Sequence, residues 1–191
     1  MANITNSINK FSLLYYQSQD NSLFGKSNKA KNFLQTQRKL NPELDASLYA
    51  LDLSKAISDT SRTDELAKKV ARGEKLTNEE KAFMEKTDPE KLKKAEEANL
   101  QREELKRQLK NAKTPSHAAS IISSSLTNVL NVQKSGDTVM ADLLMEGIKK
   151  ETAEYYSKNP DDKSYHITDS IAKIDYKIKN TSRKQQFDIL I

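Results

Sequence analysis

TDPEKLKKAEEANLQREELKRQLKNAK, residues 87–113, is the stretch whose reading decides the fold. Thr87 and Glu90 have the spacing of a capping box, and Asp88 before Pro89 offers a second start. In either case a side-chain oxygen accepts an orphan backbone N–H, and proline at the first helical position has none to lose. Glu90 with Lys94 and Glu103 with Arg107 are i,i+4 pairs, each worth about 0.2–0.5 kcal/mol to a helix. Lys113 before Thr114 and Pro115 marks the end, so the spacing predicts one long charged helix over about 88–113.

Its apolar seam is thin. With Ala95, Arg102 and Leu109 at heptad position a, Ala98, Leu105 and Ala112 fall at d, and Leu92 and Leu100 lie off the register. A coiled coil wants three or four apolar heptads, whereas here one core position is charged and half are alanine. The expectation is therefore an internal strut that rests its Leu105, Leu109 and Ala112 edge on neighbouring helices, rather than a zipper.

The same punctuation recurs outward from this helix. All four prolines, at 42, 89, 115 and 160, follow Asn, Asp or Thr, and Gly73 and Gly136 close helical runs as C-terminal glycines do. Leu44, Leu48 and Leu51 repeat at helical spacing after Pro42, with Tyr49, Leu53 and Ile57 as a second face that would make this helix central. Residues 63–72 read as a separate short helix, and Thr77 with Glu80 caps the next. Ile122, Leu126 and Val129, then Val139, Met140, Leu143, Leu144 and Ile148, supply the two most apolar segments. These form a predicted helical hairpin around residues 134–137.

At the C-terminus both periods are satisfied: Ile167, Ile171, Ile174 and Ile178 suit a helix, while Ile174, Tyr176 and Ile178 alternate as a strand would. The reading is a helix over about 166–172 turning into an extended segment, with FDILI as a second strand of a short hairpin. The fold class is thus mainly α, a multi-helix array or irregular bundle. It is divided into 1–60, 61–158 and 159–191 within one loosely built unit.

Composition limits what such a fold can carry. Hydrophobic residues make up 36% and charged residues 31% of 191, with no Trp and no Cys, so burial must run along narrow helix stripes and thiolate chemistry is excluded. No basic leader precedes FSLLYY near the N-terminus, so a secretory signal is not expected; nor are there 18 consecutive apolar residues to span a membrane.

The net charge of +5 is spread through mixed-sign sequence except in residues 21–41, where Lys26, Lys29, Lys31, Arg38 and Lys39 stand without an acid. Phe24, Phe33, Leu34 and Leu40 interleave with them as in a surface that contacts phosphates and stacks on bases, though the same spacing suits a packed helix with solvated lysines. Ile4, Ile8, Phe11 and Tyr15 line one helical face whose polar side holds only Lys10. This suits a face that packs on the protein's own body or on a partner protein better than a membrane anchor. The cationic group Lys106, Arg107, Lys110 and Lys113 opposes the negative dipole end of the charged helix and needs no ligand to explain it.

No catalytic, metal-ligating or cofactor-binding residues are expected. His117 and His166 lack the Glu three residues earlier that a di-iron bundle requires, and NPDDKSYHITD puts Lys163 and Ser164 where a calcium loop needs a ligand and a glycine. The expected function is that of a non-enzymatic adaptor, scaffold or assembly component with a protein partner or a second copy of itself. It would act in the cytoplasm, or outside the cell after export without a cleaved signal. The alternative is nucleic-acid binding through the basic stretch.

Overall fold

The computed structural model describes residues 36, 38–160 and 165–188. Six α-helices account for most of them: α1 Pro42–Ala71, α2 Asn78–Thr87, α3 Pro89–Lys110, α4 Pro115–Lys134, α5 Thr138–Lys158 and α6 Tyr165–Asp188. Among the described residues there is no strand, and no helix is long and apolar enough to cross a membrane. The chain forms two compact units, Met1–Thr60 and Ser61–Ile191.

The starts at Pro42, Pro89 and Pro115 are built as their chemistry requires, whereas Asn159 before Pro160 turns its amide back onto Tyr155 O and ends α5. Asn41 Oδ1 accepts from Leu44 N–H at 3.2 Å ahead of Pro42, and Thr114 Oγ1 accepts from His117 N–H at 3.2 Å ahead of Pro115. Of the two starts open to the charged helix, Asp88 is the one used. Its Oδ1 accepts from Lys91 N–H at 2.9 Å, while its own N–H donates to Met84 O at 2.9 Å and ends α2. Thr77 and Glu80 close a reciprocal capping box at 3.2 and 2.8 Å. α1 ends through Gly73 at φ +79°, with Gly73 N–H bonded to Val70 O and Glu74 N–H to Lys69 O. This paired closure needs the left-handed conformation that glycine adopts without strain.

Three expectations are corrected. The C-terminal segment is helical from Tyr165 to Asp188, so the extended segment and hairpin are absent there; residues 189–191 of FDILI lie outside the described part. The helical period prevails because Ile167 and Ile178 are buried and Ile171 and Ile174 pack on the same core, whereas Tyr176, the residue only the strand pattern wanted inside, is 71% exposed. Residues 63–72 are no separate helix, because nothing between Ile57 and Thr63 breaks the ladder and α1 runs through. The charged helix ends at Lys110 rather than Lys113, since Asn111 and Ala112 N–H groups turn back onto the last carbonyls.

In the first unit, Leu44 and Leu48 are buried together with Leu51 against them. The expected second face does not make this helix central: Tyr49 and Ile57 are 63% and 61% exposed, and Leu53 is exposed too. The second unit is organised around α5, which packs on α3, α4 and α6. Lys94 near the start of α3 meets Asp137 at the start of α5, and Lys106 meets Glu154 near their ends, so α3 and α5 run parallel with α4 returning between them. α6 runs back along α5, as the Lys149–Asp175 and Gln133–Thr181 contacts show.

The helix 115–134 and helix 138–158 pair is the expected hairpin. It buries Ile122, Leu126, Val129, Leu143, Leu144, Met145 and Ile148, side chains of the kind that contribute about 1.5–3 kcal/mol each when fully enclosed. The strut expected of the charged helix is present as well: Leu105 and Leu109 are buried, and Ala95 and Ala98 give α5 close access.

Candidate functional site

A concavity lies where the C-terminal ends of α3 and α5 meet the turn into α4. It is a groove of about 830 Å³. α3 brings Lys106, Leu109 and Lys110 because these stand on the face that follows its buried seam. The turn after Asn111 brings Ala112 and Lys113, and Thr114 and Pro115 begin α4 at the edge. α5 contributes Glu151, Glu154, Tyr155 and Lys158 from its last two turns. Leu109 and Glu151 are buried, Ala112, Glu154 and Tyr155 half-buried, and the four lysines exposed, so the groove has a partly apolar floor under a cationic rim.

Its carboxylates are already engaged. Glu154 pairs with Lys158 at 2.7 Å and with Lys106 at 3.8 Å, which holds its pKa below the ordinary carboxylate value, chiefly through the Lys158 hydrogen bond. Glu151, 3% exposed, is paired with the guanidinium of Arg102, itself 8% exposed. Arg102 Nε also donates to Asn99 Oδ1 at 3.0 Å, Nη2 lies 3.3 Å from the exposed Glu103 carboxylate, and the guanidinium is so close to Gly73 that a Cβ there would clash with it. Gly147 on α5 adjoins the stem of the same side chain.

A second cluster joins Asp142, Glu146 and Asp175, with one oxygen of each within 4.8 Å of the others. These oxygens face cations of the chain's own: Lys68 on Asp142 at 2.8 Å, Arg72 on Glu146 at 3.3 Å, Lys149 on Glu146 and Asp175, and Lys179 on Asp175 at 2.8 Å. Four positive side chains against three carboxylates leave no net negative charge to attract a metal ion, although Asp142 Oδ1 is buried without a hydrogen-bond partner.

This network sets an acid response. Burial pushes the pKa of Glu146 and of Asp175 up, but Lys149 and its fellow cations outweigh it and leave both below their ordinary values. Asp137 behaves likewise, with Lys94 and the Met140 N–H prevailing over burial. A carboxylate that binds its proton less readily when folded stabilises the fold above its unfolded pKa and loses that contribution as pH falls through the folded one. The melting temperature should therefore fall as pH drops below about 4. Lys149→Met should lower it at neutral pH and flatten the acid limb, as circular dichroism melts across pH would show.

Of the residues singled out from sequence, Ile4, Ile8, Phe11, Tyr15, Lys26, Lys29 and Lys31 lie outside the described residues. Arg38 is bound to Asp45 at 2.6 Å and stands 3.7 Å from Asp52, while Lys39 is exposed. The groove was not foreseen as a site. Lys106, Lys110 and Lys113 were visible as a cationic helix end, but only the parallel course of α3 and α5 brings Lys158, Glu154 and Tyr155 to them. Among the groove-lining residues there is no histidine, and Thr114 Oγ1 already caps α4. No family model, curated protein or solved structure matches the chain.

Proposed function

We propose that the protein is a non-enzymatic helical interaction protein, an adaptor or assembly component acting in the cytoplasm. The groove supports this reading best. Its floor of Leu109, Ala112 and Tyr155 offers apolar contact, and its flexible lysines can follow a partner's charges. Its open rim suits a segment of another protein better than a small substrate that must be sealed from water. The acids of the second unit fit the same reading, because Glu151, Glu154, Glu146 and Asp175 hold helices together through ion pairs.

Native mass spectrometry with chemical cross-linking in an extract of the source cells tests it. The expected result is a partner, or a second copy, retained at fixed stoichiometry. A monomer with no specifically retained protein would refute the reading.

A further inference from the structure

We infer that the groove between the ends of α3 and α5 docks an acidic, partly apolar segment of a partner protein; this rests on the interaction reading above and names the chemistry of what is bound. Within the groove, Glu151 is neutralised by Arg102, and Glu154 is shared by Lys106 and Lys158. Lys110 and Lys113 have no carboxylate partner among the described residues.

Helix ends adjust this balance without reversing it. α3 and α5 each bring a C-terminus worth roughly half a negative charge and α4 an N-terminus worth roughly half a positive one, so the groove keeps an excess of roughly two and a half positive charges. The groove falls within the roughly 300–1,000 Å³ of ordinary ligand clefts, and it pairs that charge with apolar floor in the same depression.

Charge alone would also admit a nucleic-acid backbone, but the rest of the lining argues against it. A continuous phosphate chain would have to pass Glu154 and leave Leu109 and Ala112 uncovered. A peptide with spaced carboxylates can set acids on Lys110 and Lys113 and apolar side chains on the floor of the same groove. Lysine ammonium groups read carboxylates as point charges and impose no bidentate geometry, which suits a segment whose acids are not fixed in position.

Fluorescence anisotropy with a labelled peptide of alternating Glu and Leu, on the full chain, tests the assignment. The controls are the same peptide with Lys for Glu and a labelled oligothymidylate. Lys110→Glu with Lys113→Glu should weaken the Glu–Leu peptide about tenfold, and Lys110→Gln with Lys113→Gln about threefold, as for partly exposed charge pairs at an interface. Both side chains are exposed, so melting temperatures should stay close to that of the unmodified chain.

Equal affinity in the variants, equal binding of the Lys peptide, or oligothymidylate bound more tightly and with the same lysine dependence would overturn the assignment. Cross-linking separates it from the broader reading. A native partner still retained by the charge-reversed protein removes the groove but keeps the interaction function, whereas no partner on the unmodified chain removes the function whatever the peptides do.

Discussion

Arg102→Leu should lower the unfolding free energy by about 3–5 kcal/mol, and Glu151→Leu by a similar amount, while the double variant recovers most of the loss. The asymmetry follows from burial. Arg102 and Glu151 are both buried, so removing Arg102 leaves Glu151 out of water and without its partner, while removing Glu151 leaves the Arg102 guanidinium only Asn99 and the exposed Glu103 at 3.3 Å. Removing both exchanges a desolvated ion pair for apolar contact with Leu105 and Ile148, which line a small cavity of about 50 Å³ together with Arg102. Urea denaturation of the four proteins in a double-mutant cycle reads the coupling directly. A single-variant cost below about 1 kcal/mol would be the value of an exposed pair and would contradict the burial described.

Leu105→Asp, alone or with Leu109→Asp, is the second large effect expected. Both leucines are buried, and Leu105 stands beside Val129, Leu144 and Ile148 at the junction of α3, α4 and α5. Arg102 lines the same cavity but is already paired with Glu151, so a carboxylate placed there finds no free counter-charge. It must stay unpaired or force the helices apart, a change of the class that costs about 4 kcal/mol or more. For a chain of this size that corresponds to a fall in melting temperature of about 8–16 °C, and the double substitution should abolish the cooperative transition. An unchanged melting temperature with lost association would instead mean that α3 projects as an arm to hold a partner.

How far the fold was legible depended on whether the deciding signal was local. The capping side chains before Pro42, Pro89 and Pro115, the Thr77–Glu80 box and the glycine exit at Gly73 concern only neighbours in sequence, and each is found in place. The apolar hairpin was legible for the same reason, since its stripe and turn are contiguous. Where two periods competed, as at Ile174, Tyr176 and Ile178, the outcome rested on tertiary burial: α4 and α5 give the helical face a surface to cover. The second stripe of α1 fails in the opposite sense, because Tyr49 and Ile57 have the spacing of a buried face but stay exposed. Arg102 was visible as a charged residue in a core position. Its partner was not, because 49 positions separate it from Glu151. The groove was hidden by the same distance, being made of two helix ends that meet only after the intervening helix has turned back.

The alanine-lined contact between α3 and α5 has a further consequence when considered together with that pair. Buried Ala95 and Ala98 on α3 and Gly147 on α5 offer little relief to resist one helix sliding past the other, so the register depends on the larger and charged side chains around them. Such a slip would carry Arg102 away from Glu151 and press its guanidinium side against residues larger than Gly73 and Gly147, stranding two charges in the interior. The pair and its two glycines therefore act as a detent: they add little to the attraction between the helices, yet together with Lys94–Asp137 and Lys106–Glu154 they fix the place at which the helices stop.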